Sequence, residues 1–561
     1  MRFPTSSLQE SAAMLSPQLL VSCFCLYIFL RLSHFIYKRS FASSPLDKLR
    51  GPVPVSFLKG SLPNLFGFKA WDFHRNLAQE YGNAARIKGA LGDDFLYVFD
   101  PLALHHILLK DQNSFEPSPN NLLVTQLFLG DGLLGTWGDT HRRQRKSLTP
   151  VFSAAHMRNM VPLFYKIGQK LEKAFAQRVK DGPQEIDVLS WSSRTALELI
   201  AQSGLGYTFD PLTEDAVPHP YAQAAKRLII VLGRSNVFRI YLLPFLMKIG
   251  TAKFRRAMLE LTPIEVLQEA REISDLMHET SVKIYEAKKK AISDGNDAFK
   301  DHIAEGKDLI SILMKNNTGV SKGEKLPDKE IIGQMSTFTF AATDTTSAAI
   351  ARTLWLLSQR QDVQDKVRAE LSEAMLGKDT LSYDEVNELR YLDAVCRELL
   401  RLYPPVPAIA RMAREDTILP LSKPLTGVDG KLMHEIYVPK TTKILLNIFN
   451  CNRNPDLWGP DANQFKPERW SDLPDSITAA RVPGVYSNLM TFEGGARSCI
   501  GFKFSQLEMK VVLSLLLHKF KFSLPKDKEI YWNMTGITSP CVIGDADSLP
   551  PRLPLIVEEA N

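Results

Sequence analysis

The sequence is short of cysteine, and its cysteines are not arranged for a disulfide framework or a zinc site. Two of the six lie in the N-terminal apolar segment, and no CxxC pair or Cys/His cluster with zinc-ligand spacing occurs. These absences argue against a small disulfide-stabilised fold and against a zinc module. An isolated cysteine usually behaves as a small buried apolar residue, which we expect of Cys396, Cys451 and Cys541. Cys499 lies in a glycine-rich segment and needs a different explanation.

Strong net charge, internal repeats and low-complexity segments are also missing. The net charge is only +6 over 561 residues, and the basic residues are dispersed, so nucleic acid is not expected as a partner. Gly204-Leu205-Gly206 lacks the third glycine of a dinucleotide-binding fingerprint and follows a helical pattern. We therefore predict no flavin or nicotinamide module, and any electrons must come from another protein. Apolar residues at 45% and charged residues at 23% are typical of a globular protein with a sizeable core.

One apolar run occurs near the N-terminus, at residues 19–30, and continues less regularly to residue 37. Lys38 and Arg39 follow it, whereas only Arg2 precedes it, and this asymmetry places the C-terminal side in the cytoplasm. No A-x-A cleavage site follows, which disfavours the alternative of a cleaved secretory signal. We predict a single-pass transmembrane anchor at about residues 19–37, in the endoplasmic reticulum membrane of a eukaryotic host, with the rest of the chain in the cytoplasm.

The pattern divides the chain into an N-terminal segment (1–40), a proline-rich hinge (41–64) and one folded domain (65–561). Proline fixes φ and stops a helix, so the hinge is expected to end the anchor helix. Residues 86–99 read as a β-hairpin with Gly-Asp at the turn. From about residue 153 the pattern is mainly helical. The sequence thus predicts a mainly α fold with a small β-rich part, its clearest helices falling at 188–204, 262–292, 327–359 and 502–520.

The glycine-rich segment at 492–501 presents a cysteine directly before a helical pattern. A thiolate needs N–H donors and positive surroundings to stay deprotonated. A helix N-terminus supplies both, because its first amides are unpaired and its dipole is positive there. Gly495 permits a tight turn, Gly501 permits close approach to a flat ligand, and Arg497 is suited to pairing with a carboxylate. Phe492 is expected to shield the sulfur of Cys499 from water.

This Phe-x-x-Gly-x-Arg-x-Cys-x-Gly pattern resembles the haem-binding signature of the cytochrome P-450 family. The resemblance implies the family's fold, haem b (iron protoporphyrin IX) as cofactor and Cys499 as the axial ligand of the iron. It covers the chain from about residue 50 to the C-terminus, so that residues 65–561 form a haem-thiolate monooxygenase domain. The alternative at this segment is a buried cysteine in a glycine-rich turn.

A small-residue and polar stretch interrupts the long helical pattern at 341–346. Ser and Thr can bond back to preceding carbonyls and open a helix locally, and an acid next to an alcohol can relay protons. The stretch resembles the family's oxygen-activation motif, which implies that Thr345 protects the activated oxygen and Asp344 supplies protons. Ala341 and Ala342 would border the haem. Ala342 stands where the family often has glycine, so a narrower groove is expected; the alternative is a purely structural kink.

Two further motifs resemble structural parts of the same family. Glu398 and Arg401 form its Glu-x-x-Arg motif, and Arg469 in Pro-Glu-Arg-Trp completes the implied network, whose role is structural. An isolated pair at this spacing is otherwise usually a surface salt bridge of small value. Trp137 and His141 resemble the family's haem-propionate helix and can both donate hydrogen bonds to carboxylates. Arg411 matches another propionate contact.

By resemblance, the reaction inserts one oxygen atom of O₂ into a hydrophobic small molecule, with electrons from NADPH through a separate flavoprotein reductase. Tailoring of a terpenoid or polyketide and clearance of a xenobiotic are the family-level substrate classes. A non-catalytic haem sensor has no need of the Asp344–Thr345 pair. A haem-thiolate isomerase or peroxygenase, which needs no reductase, is the nearer alternative.

The distal pocket and the reductase-docking surface are also placed by analogy. The pocket is expected to draw on a loop at 113–134, the central helix, the strand after it and the C-terminal loop, through Leu122, Leu123, Leu127, Phe128, Leu134, Phe338, Ala341, Val406, Ile409 and Ile537. Apolar side chains of this kind favour a hydrophobic ligand. The docking surface is expected to be basic, and its predicted residues are Arg142, Arg143, Arg145, Lys146, Lys503 and Lys510.

Overall fold

A computed structural model describes residues 44–560, except for 68, 218, 236–237, 295–306, 322 and 546–549. The predicted anchor at 19–37 lies outside the described residues. Within the described ranges, none of the helices combines the length and the apolar character that a membrane crossing requires.

Most of the described chain is helical, as predicted. The α-helices, numbered in chain order, are α1 Leu62–Leu65, α2 Ala70–Tyr81, α3 Pro101–His105, α4 Pro119–Leu129, α5 Gly138–Leu148, α6 Ala154–Val179, α7 Val188–Ile200, α8 Pro220–Arg234, α9 Leu243–Leu246, α10 Ala252–Glu260, α11 Glu265–Ser293, α12 Leu309–Thr318, α13 Asp328–Gln359, α14 Gln361–Ala374, α15 Tyr383–Glu388, α16 Arg390–Leu402, α17 Ile448–Cys451, α18 Pro455–Trp458, α19 Asp475–Ala480 and α20 Phe502–Lys519.

The strands form small sheets, numbered β1 Ala84–Lys88, β2 Asp94–Val98, β3 Phe115–Glu116, β4 Gln184–Asp187, β5 Ala408–Ala413, β6 Thr417–Thr426, β7 Leu432–Val438, β8 Lys443–Asn447, β9 Phe520–Ser523, β10 Ile530–Asn533, β11 Ser539–Val542 and β12 Pro554–Glu559. The largest sheet has the order β1-β2-β8-β5-β3, and only its β2/β8 pairing is parallel. β1 and β2 confirm the predicted hairpin, with Ala84 opposite Val98.

The central helix α13 is predicted by its sequence and explained by its neighbours. It follows Pro327 and carries Asp328 and Glu330 in its first turn, where negative charge favours the helix dipole. Its 32 residues give a length of about 50 Å. Buried residues occur on all its faces, because α7, α11, α16 and α20 pack around it. This burial explains why the stretch lacks the one-sided apolar stripe of a surface helix.

The segment at 113–134 is not the loop that we predicted, because α4 occupies Pro119–Leu129. Ser118 caps this helix by accepting the N–H of Asn121 at 3.2 Å, and proline at the first helical position is favourable. Gly130 ends the helix with φ +76°. The Ser-Pro start and glycine stop are local signals that predict this helix.

Cys396 and Cys451 are buried, as expected of structural cysteines, whereas Cys541 is half-buried.

A buried ionic network joins α16 to the segment after α18. Both guanidinium nitrogens of Arg401 that face Glu398 lie 2.8 Å from its carboxylate oxygens, and both side chains are fully buried. Arg469 Nε lies 3.4 Å from the same carboxylate, and the Trp470 indole donates to it at 3.1 Å. Arg401 also donates to the carbonyl of Ala462 at 2.6 Å. The structure thus brings the three predicted network residues together.

Removing the central carboxylate of this network is expected to be costly. Glu398→Ala should lower the free energy of unfolding by about 3–5 kcal/mol, since it leaves the fully buried guanidinium of Arg401 without its anion. Arg469 keeps its ion pair with Asp461 at 2.7 Å. Chemical denaturation of the haem-loaded protein measures this change. The control is Glu468→Ala, which removes an exposed ion pair with Lys366 and should cost about 1 kcal/mol or less. A similar small cost for Glu398→Ala would contradict the role of the network.

Candidate active site

The cysteine loop is closed by its own backbone. The N–H of Cys499 donates to the carbonyl of Phe492 at 2.8 Å, and the N–H of Ser498 donates to the carbonyl of Gly495 at 3.1 Å. Gly495 has φ +71°, and a Cβ there would lie 1.9 Å from the carbonyl oxygen of Leu108. This position therefore requires glycine for two independent reasons, its backbone conformation and its lack of space.

The thiol of Cys499 lies at the start of α20, as the sequence predicts. Its side chain is exposed, yet the surrounding protein is close enough that burial raises the pKa of the thiol to about 11, and the carboxylate of Glu493 acts in the same direction. The backbone N–H of Gly501 and the charge of Arg145 oppose this rise in pKa. A Cβ at Gly501 would meet only the Phe152 ring, at 3.8 Å, so no contact within the protein requires this glycine.

Two arginines and a histidine converge beside the loop. Arg497 donates to Glu116 at 2.8 Å, and Arg411 donates to Glu493 at 2.6 Å. His141 is buried, and its pKa falls to about 3 because burial and the charges of nearby arginines disfavour the imidazolium. A neutral His141 and two arginines form a donor set for negatively charged groups.

Two aromatic residues of the predicted site differ in their surroundings. Trp137 is 54% exposed at the start of α5, and the guanidinium of Arg414 lies 4.7 Å from its ring. The Phe492 ring is half-buried and lies 5.6 Å from Tyr486 and 6.1 Å from Phe502, so it belongs to an aromatic cluster beside the cysteine loop.

The polar stretch of α13 bonds back onto its own helix. Thr345 donates its hydroxyl to the carbonyl of Ala341, and Thr343 donates to that of Thr339, both at 2.7 Å. Ala341 is exposed and Ala342 half-buried, although the helix before and after them is mostly buried. This side of the helix therefore presents small side chains and one hydroxyl, as the resemblance implies.

The carboxyl group of Asp344 holds its proton more firmly than an ordinary aspartic acid. Burial raises its pKa from 3.8 to about 6, and the charge of Lys226 on α8 opposes this rise. A carboxyl group that titrates near neutral pH can both give and take protons under physiological conditions. Asp344 and Thr345 thus place an acid next to an alcohol.

These features fit a flat metal cofactor that carries carboxylates. The exposed thiol of Cys499 faces out of a loop with a helix amide beneath it, and metal coordination deprotonates such a thiol. Arg497, Arg411 and His141 suit the propionates of haem. Ala341 provides a surface without long side chains. Cys499 would hold the iron, and the arginines would hold the propionates.

Four residues near the site were not predicted as part of it. Glu116 and Glu493 pair with the two arginines. Gly494 has no room for a Cβ, which would lie 1.6 Å from the carbonyl oxygen of Pro483. Glu508 on α20 is fully buried, which raises its pKa well above the ordinary value. Arg497 and Arg411 are distant in sequence from Glu116 and Glu493, so no local signal marks these two carboxylates.

Three cations of the predicted docking surface bind groups within the protein instead of facing solvent. Lys510 is buried and lies 2.7 Å from Asp393. Arg143 forms an ion pair with Glu330 at 2.6 Å. Arg145 donates to Ser498, the residue before the cysteine. Their charges are directed into the protein, and the predicted positions that remain exposed are Arg142, Lys146 and Lys503.

A cavity of about 360 Å³ lies between α4, α8 and α13. Of the predicted pocket residues, Phe128 and Leu134 line it; its other lining residues are Asn121, Val124, Thr125, Leu129, Leu228, Leu232, Arg239 and Phe340.

The other predicted pocket residues do not line this cavity. Leu127 is 41% exposed on the surface, and Phe338 packs in the core with its ring 5.5 Å from Phe152. Leu122 is buried, and Leu123, Val406, Ile409 and Ile537 are half-buried. A backbone bond of 2.9 Å from Thr538 to Pro405 joins the C-terminal loop to the segment of Val406.

The chain is similar to known proteins over most of its length. The family model described as Cytochrome P450 matches residues 50–540. Cytochrome P450 monooxygenase 91 of Postia placenta is 52% identical over 524 residues, which cover 93% of this chain and 96% of that protein. Cytochrome P450 monooxygenase 212 of the same fungus is 46% identical, over 92% of this chain and 94% of that protein. Ganoderic acid synthetase of Ganoderma lucidum is 43% identical, over 93% of this chain and 96% of that protein.

The raised pKa of Asp344 predicts a pH-dependent stability difference. Between about pH 4 and pH 6 the unfolded chain has released the proton that the folded chain keeps, so the free energy of unfolding falls as pH rises. Asp344→Asn removes this contribution. Its stability relative to the parent should therefore rise across that window, by up to about 1.4 kcal/mol per pH unit, and stay level above it.

Urea unfolding of both proteins at a series of pH values measures this difference. Asp379→Asn is the control, because Asp379 is exposed. Its stability relative to the parent should not change with pH. A flat profile for Asp344→Asn as well would contradict the raised pKa.

Proposed function

Because this chain belongs to the cytochrome P450 family, whose similar members are named monooxygenases, we propose that it inserts one oxygen atom of O₂ into a hydrophobic small molecule. The observation that carries this proposal is the exposed thiol of Cys499 at a helix N-terminus, beside Arg497, Arg411 and His141. Haem b held by such a thiolate supplies the electron density that favours O–O cleavage.

The residues of α13 have two proposed tasks in this reaction. Asp344 takes up a proton at its carboxylate and releases it, as its pKa of about 6 permits. Thr345 holds a hydroxyl group close to Ala341, an exposed residue in the middle of the helix. An acid and an alcohol in succession can deliver protons to the reacting oxygen. This pair favours a monooxygenase over an isomerase, which needs no proton delivery to oxygen.

The cavity between α4, α8 and α13 supports a hydrophobic substrate. Val124, Phe128, Leu228 and Phe340 contribute apolar side chains, and Arg239 is a charged residue at its wall. Mostly apolar cavities with few polar groups bind apolar ligands in a defined orientation. Together with the similarity to ganoderic acid synthetase, this supports the tailoring of a specialised metabolite, a terpenoid or a polyketide.

We also propose that the electrons come from NADPH through a separate flavoprotein reductase. The proposed docking surface consists of Arg142, Lys146 and Lys503, of which Arg142 and Lys146 also form exposed ion pairs with Asp139 and Glu324. Exposed charges of one sign steer an oppositely charged partner and accelerate its binding at low ionic strength. The charges that flank residues 19–37 support the endoplasmic reticulum membrane as the location, with the catalytic domain in the cytoplasm.

The ligand assignment is tested by absorption spectroscopy. Cys499→Ser should abolish the thiolate-type spectrum of the reduced carbon-monoxide complex, since a serine hydroxyl cannot supply a thiolate. Cys541→Ser, at a half-buried cysteine, is the control and should keep that spectrum in full. Survival of the spectrum in Cys499→Ser would show that another residue holds the iron.

The docking surface is tested by the kinetics of reduction. Replacing Arg142, Lys146 and Lys503 together by glutamine should slow reduction by the reductase at least tenfold at low salt and flatten its salt dependence. Turnover supported by added peroxide needs no reductase and should keep its rate. The control is the same substitution at Lys423, Lys431 and Lys440, exposed residues in and next to the β6/β7 hairpin. If both triple variants behave alike, docking depends on net charge rather than on this surface.

A further inference from the structure

The cavity between α4, α8 and α13 has a cation in an otherwise uncharged wall. Among the described residues that line it, Arg239 alone carries a net charge, and it belongs to the helical turn Phe238–Leu242 that follows α8. Asn121 and Thr125 are the other polar lining residues, and the rest of the lining is apolar. A cavity of this composition binds an apolar ligand and orients it through its few polar groups.

The polar residues lie together at one end of the cavity. The side-chain amide of Asn120, the residue before Asn121, donates to the backbone carbonyl of Arg239 at 3.1 Å. Thr125 follows Asn121 by about one turn of α4. Asn121 is exposed, whereas Arg239 and Thr125 are half-buried. This end is therefore the mouth of the cavity.

The other end of the cavity is apolar and lies towards α13. Leu129 ends α4 about two turns beyond Asn121, and it is buried, as is Leu228 on α8. Phe340 on α13 directly precedes Ala341, the exposed residue that borders the haem in the proposed reaction. A ligand whose charged group stays at the mouth thus presents its apolar end to the middle of α13.

Arg239 is suited to hold a carboxylate at this mouth. Its Nε donates to the carbonyl of Leu232 at 3.1 Å, and a backbone carbonyl has no net charge, so this bond leaves the positive charge in place. Burial lowers the pKa of the guanidinium, but arginine stays protonated at physiological pH. A guanidinium binds a carboxylate through charge-assisted hydrogen bonds, which are stronger than those between neutral groups.

We propose that the substrate is an apolar carboxylic acid, whose carboxylate binds Arg239 at the mouth of the cavity while its opposite end lies at α13. This inference rests on the proposed function and narrows its substrate class to terpenoids or polyketides that carry an acid group distant from the oxidised position. A neutral molecule of the same shape would cover the guanidinium with apolar surface, and removing a charge from water without supplying an anion is unfavourable.

Isothermal titration calorimetry of the haem-loaded protein with farnesoic acid and farnesol tests this preference. The two probes share one terpenoid carbon skeleton and differ only in having a carboxylate or a hydroxymethyl group. The parent protein should bind the acid more tightly than the alcohol. Arg239→Gln should weaken binding of the acid relative to the alcohol at least about tenfold, since it removes a hydrogen bond between two charged groups.

Two further variants show whether the charge of Arg239 itself is responsible. Arg239→Lys keeps the charge but loses the planar fork, so its preference for the acid should lie between those of the parent and Arg239→Gln. Arg234→Gln is the matched control, because it removes an equal charge at the end of α8 from an exposed residue that pairs with Glu269 at 3.5 Å. Its preference should stay within about twofold of the parent, as expected for an exposed ion pair.

The nuclear magnetic relaxation of bound farnesoic acid tests the orientation. The iron of the ferric protein accelerates the relaxation of ligand protons, and this effect falls steeply with distance. The methyl protons at the apolar end should therefore relax faster than the olefinic proton beside the carboxylate. In Arg239→Gln this difference should shrink, because the acid is no longer held by one end.

The outcomes separate this inference from the proposed function. A parent protein that fails to bind farnesoic acid, or binds farnesol equally tightly, overturns the inference and leaves the assignment of Cys499 untouched. An unchanged preference in Arg239→Gln overturns the role of Arg239; if that variant does not fold, an unchanged preference in Arg239→Lys does so. Faster relaxation beside the carboxylate overturns the orientation. Survival of the thiolate-type spectrum in Cys499→Ser overturns the iron ligand but not the preference measured by calorimetry.

Discussion

The hydrogen bond from the Cys499 N–H to the Phe492 carbonyl, 2.8 Å long, closes the loop on which the proposed site depends. It turns the chain so that the thiol precedes α20 and lies next to the first amides of that helix. The loop can make this turn only because Gly495 adopts φ +71° against the carbonyl of Leu108. Arg145 then holds the neighbouring carbonyl. The sulfur is thus positioned by backbone groups rather than by its own side-chain packing.

The central helix α13 has to be exposed in its middle and buried around it. Its middle must stay open enough for Ala341 to be exposed, while the turns before and after the middle are mostly buried by α7, α11, α16 and α20. The hydroxyls of Thr343 and Thr345 satisfy their hydrogen bonds on carbonyls of the same helix. Polar groups can therefore lie within this helix without partners from other elements.

Much of the positive charge near the site is used inside the protein. Arg143, Arg145 and Lys510 bind Glu330, Ser498 and Asp393, and the buried Arg401 binds Glu398. Since a buried charge needs a partner, these contacts hold helices and loops in fixed relation. The number of basic residues in a stretch of sequence is therefore larger than the number of positive charges that a binding partner can reach.

The sequence by itself determined the features that depend on neighbours along the chain. The long central helix, the hairpin of β1 and β2, the turn at Gly495 and the placing of Cys499 before a helix all follow from local patterns of burial, turn residues and caps. Even α4, which we predicted as a loop, carries its Ser-Pro start and its glycine stop. The family signature then connected these local features to haem chemistry.

Only the tertiary structure decided which side chains meet and which way charges point. Arg497 meets Glu116 and Arg411 meets Glu493 across hundreds or tens of residues, so no spacing in the sequence records these pairs. Trp137 and His141 lie one helical turn apart, yet the first is exposed and the second buried, a difference that their spacing along the chain does not record. Burial and ion pairing are properties of contacts between distant segments, and a chain reveals them only once it is folded.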